Sequence, residues 1–141
     1  MKLKIICITP LQHLPNVFNK LQDTCEVTYA PDIKKNELRS LLLNNNFDAI
    51  FTNPNKQNFK LDYDLLKETT VKLINTASTG INHIIIDDCE KLGIKIFSLT
   101  KDYELIRQLP STAELAFGLA LSLMRKIPQS FDDVKNKILK S

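Results

Sequence analysis

The sequence predicts an α/β protein, a doubly wound parallel sheet followed by a long linker helix. Short apolar runs alternate with helix-period segments roughly every 20–25 residues, the rhythm of right-handed strand–helix–strand crossovers. The first run, Ile5-Ile6-Cys7-Ile8, is apolar without alternation, as strands buried on both faces are. Beyond residue 100 the runs stop, and one long segment is apolar nearly all round.

The first strand is expected over residues 3–9. A helix opens near Pro15, where the missing N–H costs nothing, and places Val17, Phe18 and Leu21 on one face. A strand over 25–29 follows, then a helix over 34–43 with Leu38, Leu41 and Leu42 inward, ended by Asn44-Asn45-Asn46. The third strand, 48–52, exits into Asn53-Pro54-Asn55. Asp62 is placed to cap a short helix. The fourth strand covers 71–76. A helix over 87–92 stops at Gly93, a C′ glycine, and the fifth strand covers 94–98. The order of elements points to a flavodoxin-like domain.

The next helix opens at Pro110-Ser111-Thr112-Ala113-Glu114, where Ser111 and Glu114 have capping-box spacing. It runs to about Lys126 and carries Leu115, Phe117, Leu119, Leu121 and Leu123, so it is expected to be buried on several sides, in a second domain or against a partner subunit. Pro128 is expected to break it. The amphipathic segment over 129–139 then has no further strand to pack on.

Composition excludes several classes. A net charge of +3 with scattered basic residues lacks the basic stripe of a nucleic-acid footprint. No run of about 18 apolar residues exists to span a membrane, and the basic N-terminus is too short for a signal peptide, so the expected location is the cytoplasm. Three cysteines, Cys7, Cys25 and Cys89, suit neither a disulfide framework nor a zinc site; Cys7 and Cys25 read as small core residues. The two histidines, His13 and His83, have no Cys or carboxylate at ligand spacing, so no metal is expected. With Gly80, Gly93 and Gly118 as its only glycines, the chain cannot carry a glycine-rich pyrophosphate cradle.

In a parallel sheet of this kind ligands bind beyond the carboxyl ends of the strands. Of the three exit loops there, Thr76-Ala77-Ser78-Thr79-Gly80 is the most informative: small, polar residues let successive backbone N–H groups face an anion. The same turn is also compatible with an ordinary tight connection that uses glycine for its φ angle. Ser78 has no identifiable base, so it does not read as a nucleophile. His83 reads either as a proton donor near the turn or as a structural residue.

Three segments in order, Asn75 through Ile84, Gly93-Ile94-Lys95-Ile96, and Ser111-Thr112-Ala113-Glu114-Leu115 with Arg125-Lys126-Ile127-Pro128, resemble the D-isomer-specific 2-hydroxyacid dehydrogenases. The resemblance is to the N-terminal substrate domain of that phosphoglycerate dehydrogenase-like family and covers nearly the whole chain. It implies a substrate domain over residues 1–104, and over 105–141 the linker and first helices of a truncated cofactor-binding domain. It implies an NAD-dependent oxidoreductase acting on the CH–OH group of a D-2-hydroxy acid. Ser78, Thr79, Gly80, Asn53 and Asn55 would meet the substrate, Thr79 and Thr112 would lie on the NAD side, and the Ser111 helix would join a homodimer. The family's catalytic Arg, His and Glu fall in or after the cofactor domain, so no catalytic residue is assigned in this chain.

Some positions depart from the family pattern. Asn82 and Ile85 stand where Asp is frequent, and Asp87 is expected to take over capping of the helix that follows. Thr52-Asn53 replace a frequent Arg-Ser, and residues 100–110, with Tyr103 and Arg107, form a longer connection than usual. The reading from another class is a stand-alone dimeric module that binds a small carboxylate or phosphate through the same turn. A receiver or flavodoxin domain fits less well, because Thr9-Pro10-Leu11-Gln12 offers neither an acidic cluster nor a phosphate loop.

Overall fold

The computed structural model describes residues 2–54 and 58–136. The chain divides into two compact units, Met1–Lys101 and Asp102–Ser141.

The first unit is built on five parallel strands: β1 (Leu3–Cys7), β2 (Cys25–Tyr29), β3 (Ala49–Thr52), β4 (Leu73–Thr76) and β5 (Lys95–Phe97). Their order is β2-β1-β3-β4-β5, the flavodoxin-like arrangement expected from the sequence. Ile6, Ile50, Ile74 and Ile96 lie in register across four strands. Side chains alternate across a sheet, so this row defines one face. Leu38 and Leu42 of α2 (Lys35–Asn44), Leu65 and Leu66 of α3 (Tyr63–Leu66) and Cys89 of α4 (Ile86–Lys91) close over that face and form the main core. Each fully buried Leu or Ile there contributes about 1.5–3 kcal/mol by leaving water.

Helix α1 (Pro15–Thr24) starts on its proline as expected. Phe18 packs against the Tyr29 ring at 4.9 Å, and Val17, read on the same helix face, is exposed. Cys25 is only half-buried, because β2 is an edge strand with neighbours on one side alone. Cys7, on central β1, is fully buried.

Local signals explain the helix ends. Glu37 accepts the Lys34 N–H at 3.1 Å at the start of α2, and Asp62 accepts the Leu65 N–H at 3.1 Å at the start of α3. Arg39 joins the two helices by donating to Leu65 O and Lys67 O. Helix α4 ends in a Schellman arrangement: Gly93 has φ +69°, Gly93 N–H donates to Glu90 O at 3.0 Å and Ile94 N–H to Cys89 O at 2.8 Å. Asp87 does not cap this helix. The helix begins one residue earlier, at Ile86, with no side-chain cap, and it is Asp88 that is used, accepting the Tyr63 N–H at 2.9 Å.

The second unit holds α5 (Tyr103–Arg107), capped by Asp102, α6 (Ser111–Met124) and α7 (Ile127–Lys135). The long connection expected over 100–110 therefore contains a short helix. The capping box at Ser111 is not formed. Pro110 already has helical φ and ψ, so Ser111 is the first helical residue and its hydroxyl makes no cap bond. Lys126, at φ 52°, turns the chain between α6 and α7, and Pro128 sits in the first turn of α7 instead of ending α6 from within. Leu115, Phe117, Leu119, Leu121, Leu123 and Met124 of α6 are all exposed, where the sequence led to an expectation of burial on several sides.

Candidate functional site

The parallel ladder brings the exits of β1, β3 and β4 together at the carboxyl edge of the sheet. Thr9, Pro10, Leu11 and His13 after β1, Asn53 after β3 and Ala77 after β4 line a cleft of about 390 Å³. Two hydrogen bonds align these exits: Ile8 N–H donates to Phe51 O at 2.9 Å, and Ala77 N–H donates to Thr52 O at 3.0 Å.

The turn after β4 has an ordered set of bonds. Ser78 Oγ donates to Gly80 O at 2.7 Å and lies 3.0 Å from Thr76 Oγ1. The single Ser78 proton goes to the glycine carbonyl, so Thr76 is the donor in the second contact and the hydroxyls form a directed relay. A short 3₁₀ turn at Leu99–Lys101 fixes the other side: Leu99 N–H donates to Ser78 O at 3.1 Å, and Thr100 Oγ1 donates to Thr79 O at 2.9 Å. All three carbonyls of Ser78-Thr79-Gly80 therefore accept a bond. Among the described residues their three N–H groups donate none. Ser78 and Gly80 are half-buried and Thr79 is exposed.

Gly80 does not have a positive φ, which removes the conformational explanation for glycine at this position. A Cβ there would meet only Pro54 Cγ, at an ordinary 3.8 Å. Asn53 is half-buried on the cleft wall; Asn55 lies outside the described residues. Thr112 is exposed in the first turn of α6, in the second unit.

His83 is buried beside a different cleft, and burial pushes its pKa below the usual histidine range, so the ring is neutral near pH 7. The Cys89 thiol is pushed up to about 11 by burial and by Asp88, and burial also raises Cys7, so neither is a ready thiolate. Among the described residues no three His, Cys, Asp or Glu side chains converge as metal ligands, and no helix is long and apolar enough to cross a membrane. Sequence reasoning missed the Thr76–Ser78 relay and the anchoring by Leu99 and Thr100. The first is visible in retrospect as two hydroxyls two residues apart. The second depends on the end of β5 returning to the β4 turn, which no local pattern records.

Fold and turn together define a class: an open parallel α/β domain whose turn after β4, at the carboxyl edge, has its carbonyls bonded and its N–H groups unbonded among the described residues. Comparison with known proteins makes this specific. The family description for the catalytic domain of the D-isomer specific 2-hydroxyacid dehydrogenases matches residues 6–117. Human glyoxylate reductase/hydroxypyruvate reductase is 38% identical over 66 residues, 47% of this chain and 19% of that protein. D-3-phosphoglycerate dehydrogenase of Bacillus subtilis is 30% identical over 118 residues, 83% of this chain and 21% of that protein. Among solved structures, D-lactate dehydrogenase from Aquifex aeolicus, complexed with NAD and lactic acid, aligns with 98% of this chain and 38% of its own at 24% identity and TM-score 0.70. The holo form of D-mandelate dehydrogenase from Rhodotorula graminis aligns with 96% of this chain and 41% of its own at 16% identity and TM-score 0.73. This chain belongs to the D-isomer specific 2-hydroxyacid dehydrogenase family, a family of oxidoreductases, and carries its catalytic domain. It spans about a fifth of the length of the curated relatives it matches.

Proposed function

We propose that this chain is the substrate-side lobe of an NAD-dependent oxidoreductase acting on the CH–OH group of a D-2-hydroxy acid. The observation that carries the reading is the turn at Ser78-Thr79-Gly80: every carbonyl is tied down and every N–H is left for a ligand. A carboxylate accepts from such a set of amides, and charge-assisted bonds of this kind are the stronger ones. The relay from Thr76 through Ser78 to Gly80 holds the turn in shape before the ligand arrives, so little ordering remains to oppose binding. Asn53 and Asn55 are assigned to the same substrate, and Thr79 and Thr112 to the nicotinamide side. Residues 1–104 are read as the substrate domain and 105–141 as the linker and the start of the cofactor domain.

These 141 residues do not themselves fit a dinucleotide. Three dispersed glycines cannot form the close backbone approach that a pyrophosphate requires, so no step of hydride transfer is derived from them. What the chain contributes is capture and orientation of the acid group. The pure chain is therefore expected to give no NAD(H)-dependent turnover of a 2-oxo acid. Steady oxidation of NADH by the pure 141-residue protein with glyoxylate, pyruvate or hydroxypyruvate would overturn this part of the reading.

A second reading is a stand-alone dimeric module binding a small carboxylate or phosphate. It is favoured by the first unit's complete core and by the exposed apolar side chains of α6. Calorimetry separates the two: a half-cleft should bind a D-2-hydroxy acid poorly, whereas micromolar binding by the isolated chain supports the module. Homodimerisation through α6, common to both, predicts a dimer mass by light scattering that becomes monomeric in Leu119→Glu.

A further inference from the structure

The turn Ser78-Thr79-Gly80 meets the end of β5 through two peptide units. Both are trans, so in each the C=O and the N–H point to opposite edges of one rigid plane. The first unit carries Ser78 C=O on one edge and Thr79 N–H on the other. The second carries Thr79 C=O and Gly80 N–H. Both carbonyl edges are held by the 3₁₀ turn Leu99–Lys101: Leu99 N–H donates to Ser78 O at 3.1 Å and Thr100 Oγ1 to Thr79 O at 2.9 Å. On the opposite edges the Thr79 and Gly80 N–H groups donate no bond among the described residues. A plane fixed by its carbonyl has the direction of its N–H fixed as well.

The Thr100 hydroxyl is itself oriented. Ser98 Oγ donates to Thr100 Oγ1 at 2.9 Å, and Thr100 N–H returns to Ser98 Oγ at 3.4 Å. A hydroxyl has one proton to give, so Thr100 receives from Ser98 and gives to Thr79 O. The result is a chain of bonds with one direction, in which each bond polarises the next. Thr100 also stands two residues before Asp102, where the second unit begins and which caps α5 by accepting the Leu105 N–H at 3.2 Å. No glycine lies between Gly93 and Gly118, so the connection lacks the residue that most loosens a backbone.

We propose that Thr100, oriented by Ser98 and flanked by Leu99, is a positioning residue for the Thr79 and Gly80 amides and links their occupancy to the connection between the two units, a role that rests on the turn being a carboxylate site. An acceptor on these two N–H groups makes the carbonyls of the same planes better acceptors, which tightens the bonds from Leu99 and Thr100. By linkage, a bond that the anion strengthens is one whose loss weakens the anion. Thr100 is exposed, so its bond can be made and broken without disturbing the core.

Backbone NMR of the full ¹⁵N-labelled protein reads the device. In Thr100→Val the Gly80 amide nitrogen, whose plane has lost its carbonyl donor, should move more than any other outside residues 98–102, with the circular dichroism spectrum unchanged. Thr100→Ser, which keeps the hydroxyl, should return it, and Ser98→Ala should move it less and in the same direction. Titration with D-lactate at pH 7.5 and constant ionic strength should shift the Thr79 and Gly80 amides saturably. The Leu99 amide proton, on the far edge, should move downfield with the same half-saturation. Thr100→Val should weaken that half-saturation about threefold, the worth of one ordinary hydrogen bond, and Thr100→Ser should restore it. A Gly80 signal that stays in place in Thr100→Val, or an equal affinity for lactate in Thr100→Val and the unaltered protein, overturns the proposal and leaves the carboxylate reading standing. Thr79 and Gly80 amides that ignore lactate up to about 200 mM in the unaltered protein sink that reading and the link to occupancy together. Positioning by Thr100 is then decided by the Gly80 displacement and its rescue.

Discussion

Replacing Ser78 by alanine tests the hydroxyl relay that shapes the turn. The substitution removes two bonds, one to Gly80 O at 2.7 Å and one from Thr76 Oγ1 at 3.0 Å. The Gly80 carbonyl is half-buried and regains water, so its loss is that of an ordinary net hydrogen bond, about 0.5–1.5 kcal/mol. Thr76 is only 2% exposed, and its stranded hydroxyl costs about 1–3 kcal/mol. The expected loss is therefore about 1.5–4.5 kcal/mol, a large part of the roughly 5–15 kcal/mol that holds a domain folded. Urea unfolding at pH 7 should show a lower midpoint with an unchanged slope. The decisive variant is Ser78→Ala with Thr76→Val. Valine keeps the shape of threonine and deletes the stranded donor, so the double variant should regain about 1 kcal/mol or more over Ser78→Ala alone. A double variant no more stable than Ser78→Ala would refute the relay and the order of donation read from it.

Thr9 is 1% exposed and its hydroxyl has no partner, so Thr9→Val should stabilise the protein by about 1 kcal/mol; a lower urea midpoint would mean that the hydroxyl is satisfied. His83 has a folded pKa below its unfolded value of 6.5, so the unfolded chain binds the extra proton first. Stability should be level above pH 6.5 and fall as pH drops through that value towards the folded pKa, and the fall should disappear in His83→Gln when unfolding is measured from pH 7.5 to 5. Of the three thiols, half-buried Cys25 should react with a disulfide reagent at pH 8 within minutes, whereas Cys7 and Cys89 should react only at the rate of unfolding.

Much of the fold is legible along the chain because strand and helix formation is local. Ile5-Ile6-Cys7-Ile8 reads as a central strand since each residue must be apolar to be buried from both sides, and all four are buried. Gly93 and Asp62 read as a stop and a start because the geometry they satisfy involves only their neighbours. The errors fall where burial depends on what lies across space. Cys25 carries a small apolar side chain at the margin of the sheet, and no local pattern reports that β2 is its edge. The Ser111 capping box fails on backbone geometry: its spacing is correct, but Pro110 takes the N-cap position and Ser111 is already the first helical residue.

The candidate site divides in the same way. The sequence by itself determined that a small, polar turn follows a buried strand and that no pyrophosphate cradle exists here, because both are matters of which residues stand next to one another. Only the tertiary structure decided that the turn's carbonyls are occupied and that its N–H groups donate no bond among the described residues. That outcome rests on the end of β5 coming back to Ser78 and Thr79 through Leu99 and Thr100, about twenty residues along the chain.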